Sequence, residues 1–420
     1  MTNWLAARIA AEGPMPVEAF MRACLMDDTH GYYRQRQAIG AAGDFITAPE
    51  ISQIFGELIG IWVAACWQSL GEPTRWRLIE LGPGRGTLMA DALRALKVLP
   101  VARGGLEVVL VESNVRLRDQ QRARLADCGV PVGWRENVGV ASPLPSIVIA
   151  NEFLDALPIR QLVAVNGHWH ERLVGVWAAQ QDPAPRPDPL LESTGRGSIA
   201  PGGWLPGGAA PGASKNSAPS PRFDAERGGV SGGNESGTNS RGAGQQALCF
   251  IVSESPIVEA LFSPPPQPDG AFCEVMTGAA DMLGGLACSL AGAPHMHLYI
   301  DYGHLGPVAG DTLQAVSAQR YADPLAAPGE HDLSAQVDFA QVAGAAKTAG
   351  LTAYGPITQA ELLGRLGAAA RLQRLTQGKD ARTMQQLQSG LARLMDPSGM
   401  GARFRAMALT SEALAAPPVF

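Results

Sequence analysis

Glu80 closes an apolar run two residues ahead of Gly82-Pro83-Gly84-Arg85-Gly86. The run "RLIE" reads as a strand and "TLMADALRAL" as a helix, so the glycines occupy a strand-to-helix turn. Such turns aim backbone amides at a ligand and often hold phosphate. Here the third glycine comes one residue earlier than in the dinucleotide fingerprint, and no Gly-Lys-Ser/Thr follows as in a P-loop. A carboxylate beside the turn also repels a diphosphate, whereas it suits an ammonium or a sulfonium. The next strand, "LEVVLVE", sets Glu112 at its end, where an acid accepts hydrogen bonds from both hydroxyls of a ribose. A cationic methionine joined to an adenosine satisfies both acids. The pair therefore predicts S-adenosylmethionine, with a nicotinamide dinucleotide as the main chemical rival.

Those residues need a frame. Strands at "RLIELG", "LEVVLVE", "SIVIANE" and "HMHLYIDYG" alternate with helices at "TLMADALRALKVL", "NVRLRDQQRARLADC" and "AADMLGGLACSLAG". Continuous apolar strands between helices imply a parallel sheet covered on both faces, with ligands at the carboxyl ends of the strands. Ahead of this frame, Thr47 and Glu50 have the spacing of a capping box, with Pro49 in the first turn. An apolar helical stripe follows from Ile51 to Trp62. The stretches "GDTLQAV" and "DLSAQVDF" flank a Pro/Gly-rich excursion and predict an added element near the carboxyl edge of the sheet.

The expected division is an N-terminal helical cap over 1–75, a Rossmann-like domain over 76–178 and 247–420, and an insertion over 179–246. That insertion is rich in Gly, Pro and Ser and too poor in large apolar residues to offset its ordering entropy, so it is expected to be flexible. The strand-like texts on either side, "ERLVGVW" and "ALCFIV", predict a hairpin whose loop it expands.

Composition narrows the classes. The chain has 420 residues, 46% hydrophobic and 17% charged, enough for a substantial core. A net charge of -6 argues against a general nucleic-acid binder. No apolar run approaches the roughly 18 residues of a membrane helix, so no membrane insertion is expected. Six scattered cysteines form no C-x-x-C pair and read as reduced thiols. The start "MTNWLAARIAAEG" lacks the basic and apolar regions of a secretory signal. Together these predict a soluble, cytoplasmic protein. The histidines show no metal-ligand spacing, and no metal is expected.

The stretches "GDFITAPEISQIFGELIG", "ELGPGRGTLMADALR", "VESNVRLRDQQ", "ANEFLDALPIRQ", "IDYG" and "GDTLQAV" resemble, in this order, the MidA-like methyltransferases. That family includes mitochondrial complex I assembly factors acting as protein arginine methyltransferases. The resemblance implies an α/β fold: a Rossmann-like class I methyltransferase sheet with a helical cap and an added subdomain. It implies that Gly82, Gly84 and Gly86 line the S-adenosylmethionine site, that Glu112 holds the ribose, and that Thr47, Pro49 and Glu50 lie where the cap meets the cofactor. It also implies a protein substrate, in the mitochondrial members an arginine of a complex I core subunit. One departure is Gln336, where a histidine is usual in the family.

Methyl transfer from a sulfonium is an in-line displacement, so orientation dominates. A guanidinium is a poor nucleophile and needs carboxylates to grip it and localise its charge. Asn151, Glu152 and Asp155, in the loop after "SIVIA", are the expected acceptor-side residues, with Asp155 equally able to cap the following turn. Asp44, ahead of Thr47, is expected to reach the cleft from the cofactor side, and Asp301 reads either as a turn residue or as a substrate contact. The same residues leave open a protein that binds the cofactor only to support assembly, or a small-molecule methyltransferase.

Overall fold

In the computed structural model, the described residues are 1–35, 46–137, 139, 143–177, 247–257, 268–308, 310–317, 320–411 and 414–420. Asp44 and the 179–246 insertion lie outside them. A central sheet runs in the order β15 (Leu351–Thr358), β16 (Phe404–Ser411), β10 (His295–His304), β5 (Ser146–Asn151), β2 (Trp76–Leu81), β3 (Leu106–Val111) and β4 (Val132–Arg135). The short β14 (Val337–Asp338) adds to the end of β10. Six of the seven strands in that order are parallel, and β16 alone runs antiparallel to its neighbours β10 and β15. β2 is buried at every position, which explains its unbroken apolar text. A strand covered on both faces has no polar side to show.

The sheet separates two hydrophobic cores. Alternate residues of β2 and β5 point to opposite faces. Ile79, Leu81, Val148 and Ala150 join one core, whereas Leu78, Ile147 and Ile149 join the other. The helices Thr2–Glu12 and Val17–Met26 cover the first face through Leu5, Ile9, Phe20 and Met21. The helix Gln53–Ser69 covers the second through Ile54, Leu58 and Trp62. The helices of the cap expected over 1–75 thus divide between the two faces.

A second sheet holds β1 (Met15–Pro16), β7 (His168–Trp177), β6 (Arg160–Val165) and β9 (Phe272–Val275) in that order, with β8 (Ala247–Pro256) on β7. β7 and β8 pair antiparallel from Trp177↔Ala247 inward, the pairing expected of the texts that flank the insertion. A third sheet, β12 (Arg320–Ala322), β11 (Gln314–Ser317) and β13 (Asp332–Ser334), is the added element expected from "GDTLQAV" and "DLSAQVDF".

A helix starts at Thr47 as expected, with Pro49 in its first turn, but the capping box between Thr47 and Glu50 is not formed. Thr47 makes no side-chain cap, and a one-turn helix, Ala48–Ile51, ends where Ser52 is extended. Ser52 then caps the long helix, its Oγ accepting from Ile54 N at 3.3 Å. The reason lies in Glu50, whose carboxylate turns away from the backbone to accept from the Thr87 hydroxyl and from Arg85 Nη1 at 3.4 Å.

Candidate active site

β2, β3 and β5 end side by side, and their ends carry the acids. Glu80, inside β2, is 2% exposed, and its Oε2 has no hydrogen-bond partner among the described residues. Burial, reinforced by the nearby Glu112 carboxylate, pushes its carboxyl up to about 8. The three glycines that follow all have positive φ, 60°, 51° and 75° at Gly82, Gly84 and Gly86. That conformation suits glycine and lets the backbone fold tightly into the helix Thr87–Ala95.

Glu112 follows β3 and is 8% exposed. Its Oε1 accepts from Asn114 N at 2.8 Å and its Oε2 from Gln121 Nε2 at 3.3 Å. Burial raises its carboxyl, opposed by these donors. Gln121 went unnoticed in the sequence. Fully buried, it also donates to Gly84 O at 2.7 Å and accepts from Trp134 Nε1 at 2.8 Å. A Cβ on Gly86 would stand 3.3 Å from its Cγ. Its signal was its register: the buried residues of the helix Val115–Leu125 are Leu117, Gln121 and Leu125, so a glutamine occupies the apolar stripe.

One cleft collects Thr47, Pro49, Glu50, Glu80, Gly82, Gly84, Asn151 and Glu152, together with Pro83, Arg85, Thr87 and Leu88. Gly86, Glu112 and Asp155 are not among its lining residues. A larger cavity of about 280 Å³ is lined by Arg77, Glu107, Val109, Gly133 and Arg135. None of the candidate residues lines that cavity.

On the acceptor side, Asn151 ends β5 and Glu152 follows it. Glu152 Oε1 accepts from Ala48 N at 2.9 Å and Asn151 Nδ2 at 3.0 Å, while Oε2 takes no hydrogen bond from any described residue. Burial pushes Glu152 up to about 6 against those two donors and the Arg393 charge. Asn151 Oδ1 is buried without a partner among the described residues. Asp155 sits nearby, its carboxyl raised by burial and by Asp301, Asp332 and Glu152. Tyr33 donates to Asp332 at 2.8 Å on the same side. Asp301 is neither a plain turn residue nor a substrate contact, since four backbone amides occupy its carboxylate.

His295 and His297 are buried within β10 and bonded to one another at 2.8 Å. Gln336 is exposed, with its amide donating to Thr312 Oγ1 at 2.9 Å. Among the described residues no group of acids, histidines or cysteines is arranged to hold a metal.

Residues 58–357 match the family model described as "Putative S-adenosyl-L-methionine-dependent methyltransferase". The chain belongs to this family, the MidA-like methyltransferases of the sequence motifs. Similar along nearly its whole length is the "Protein arginine methyltransferase NDUFAF7 homolog, mitochondrial" of Drosophila melanogaster, 31% identical and aligned over 99% of this chain and 86% of that protein. The Homo sapiens protein arginine methyltransferase NDUFAF7 is 29% identical, over 97% and 83%. In fold, the chain is similar to a crystal structure from Burkholderia thailandensis bound to S-adenosyl-homocysteine, with a TM-score of 0.74, 23% identity and coverage of 100% of this chain and 94% of that one.

The protein is therefore an S-adenosylmethionine-dependent methyltransferase with the class I sheet expected of it. The nicotinamide rival falls. The site fits the cofactor: Glu80 Oε2 is a buried acceptor awaiting a donor, and the glycine turn leaves backbone beside it. The expectation of a cytoplasmic protein is overturned, since the fly, zebrafish and human relatives are all named mitochondrial.

Proposed function

We propose that the protein N-methylates an arginine of a protein substrate, and that this substrate is a respiratory complex I subunit, as the family resemblance implies. The relatives' printed names support the arginine. The observation that carries the reading is Glu152 just past β5, whose Oε1 takes two donors while its Oε2 takes none from the described residues, beside the buried Asn151 Oδ1.

S-adenosylmethionine, when bound, supplies an electrophilic methyl group on a positively charged sulfur. Glu80 Oε2 receives the cofactor's ammonium, and Gly82 and Gly84 bring backbone close to its methionine end. Gly86 acts a step further out, where its lack of Cβ leaves room for Gln121, which holds Glu112 toward the ribose hydroxyls. Thr47 and Pro49 wall the cleft. Glu50 works through Arg85 and Thr87, bracing the turn from outside. Asp44 is proposed to reach the cofactor from the segment preceding Thr47.

On the other side, Glu152 Oε2 and Asn151 Oδ1 accept from the target guanidinium. Two acceptors at one edge localise its charge on the nitrogens they contact and leave lone-pair density on the nitrogen turned away from them. That nitrogen would accept the methyl group that the bound cofactor supplies. The surplus proton of the methylated guanidinium passes to Glu152 Oε2 and on to solvent. Asp155 flanks Glu152 on this side, its carboxyl held toward the neutral form by burial and its acidic neighbours.

Labelled methyl donor is incubated with the protein and a lysate of cells lacking it, and the labelled product is identified. Label is expected as methylarginine on a complex I subunit. Glu152→Gln is expected to slow transfer about 100-fold or more, within the range of a positioned acid–base group, with cofactor affinity within about threefold. Wild-type kcat/KM should rise as pH rises through about 6, where Glu152 ionises, and that limb should vanish in the variant. Label in a small molecule, or unimpaired transfer by Glu152→Gln, sinks the reading.

A further inference from the structure

The turn carrying Glu152 is held by a residue that the chemistry above does not use. Glu152 has a φ of 52°, left-handed backbone that a residue with a side chain adopts only where its surroundings impose it. Its own amide extends the sheet ladder to Ile300 O at 2.8 Å. The next three amides converge on one atom: Asp301 Oδ2 accepts from Phe153, Leu154 and Asp155 at 3.0, 2.8 and 3.2 Å. Asp301 Oδ1 takes a fourth, from Tyr302 N at 2.9 Å. Successive amides of this kind form an anion-binding concavity, filled here by the protein's own carboxylate. Asp301 is 1% exposed and follows Ile300, which pairs with Asn151 in the parallel ladder. An acid on one strand end thus closes the turn on its neighbour. The turn also reaches the cofactor side, since a Cβ on Gly82 would lie 2.7 Å from Phe153 Cδ2.

We infer that Asp301 is the positioning residue of the transfer site, fixing the 152–155 turn and through it setting Glu152 against the acceptor and Phe153 against Gly82. The inference rests on the reading of Glu152 above. Shape alone cannot replace the carboxylate. Asparagine has one acceptor and one donor end, and both Asp301 oxygens face backbone N–H groups, so either orientation opposes donor to donor.

The test compares wild type, Asp301→Asn, Glu152→Gln and the double variant. Amide exchange at 153–155 is followed by mass spectrometry, cofactor affinity by calorimetry with S-adenosylhomocysteine, and transfer with the labelled acceptor. In Asp301→Asn, exchange at 153–155 should accelerate about tenfold or more as the amides lose their acceptor. Transfer should fall about 100-fold, with cofactor affinity down less than about tenfold. Because both residues act through one turn, the double variant should be no slower than the slower single variant by more than about threefold. A merely structural role would lower cofactor binding and transfer together, and the double losses would multiply. That result, or unchanged exchange at 153–155, overturns the inference. Should Asp301→Asn fail to fold, Asp301→Glu keeps the charge but displaces it. Faster exchange and slower transfer in that variant support the inference, and unchanged values overturn it. If wild type labels no arginine, the proposed function fails on its own, and exchange with cofactor affinity still decides the role of Asp301.

Discussion

Glu80 and Glu152 are acids of one cleft that burial raises to different degrees, to about 8 and about 6. For Glu80 the folded value exceeds the ordinary 4.5, so the folded chain holds a proton that the unfolded chain releases. Its contribution to stability is complete below 4.5 and is lost as pH rises through about 8. A cation at Oε2 favours the ionised form and expels that proton. Cofactor affinity should therefore rise with pH up to about 8, and binding near neutrality should release a proton. Calorimetry in two buffers of different ionisation heat measures the release, which Glu80→Gln should abolish along with most of the pH dependence. Binding that releases no proton in wild type would show that Glu80 does not face the cation. Glu80 and Glu112 were legible because strand ends are readable from apolar runs. Gln121 and Asp301 were not. The register of Gln121 signals its burial, but its partners and those of Asp301 come from other strands and turns, which no spacing within the chain encodes.

The glycine turn and the Glu152 turn are the two elements that meet in the cleft. Gly82→Ala would place a methyl group 2.7 Å from Phe153 Cδ2 on backbone with φ of 60°. The left-handed conformation alone costs about 1–2 kcal/mol for alanine, and the ring must also move. Affinity for S-adenosylhomocysteine should fall about tenfold or more, with the melting temperature lowered by a few degrees at most. Calorimetry beside a melting curve checks this, and undiminished affinity would separate the two turns. The alternation of strands and helices was legible because burial on both faces writes itself as continuous apolar text. The Thr47–Glu50 pair misled for an instructive reason. The same acid that completes a capping box in sequence finds better donors in Thr87 and Arg85, which lie far along the chain.

At the scale of the molecule, two cores share one sheet, and a buried acid ties three helices over the second. Glu57, 1% exposed, receives Arg94 Nε at 3.0 Å and Arg371 Nε at 2.7 Å. It joins the helix Gln53–Ser69 to Thr87–Ala95 and Ala368–Thr376. Both arginines are partly exposed, so their charges regain water when the acid is removed. Glu57→Ala should then cost about 2 kcal/mol, read as a lower urea midpoint. No shift in that midpoint would mean that the helices hold without the acid. The division of the N-terminal helices between two faces was hidden in the sequence, because an amphipathic stripe reports that a helix packs and not against which side of a sheet.

The position of β16 carries a consequence for synthesis. It follows every other strand of the described residues in chain order, yet it lies between β10 and β15 and pairs with both. While the ribosome is still making residues before Phe404, β10 and β15 each present an open edge that the chain cannot yet close. Open edges recruit other chains, and pairings this distant in sequence form slowly. The nascent protein must keep that slot free until its own late strand arrives, and this interval is when it most needs a chaperone.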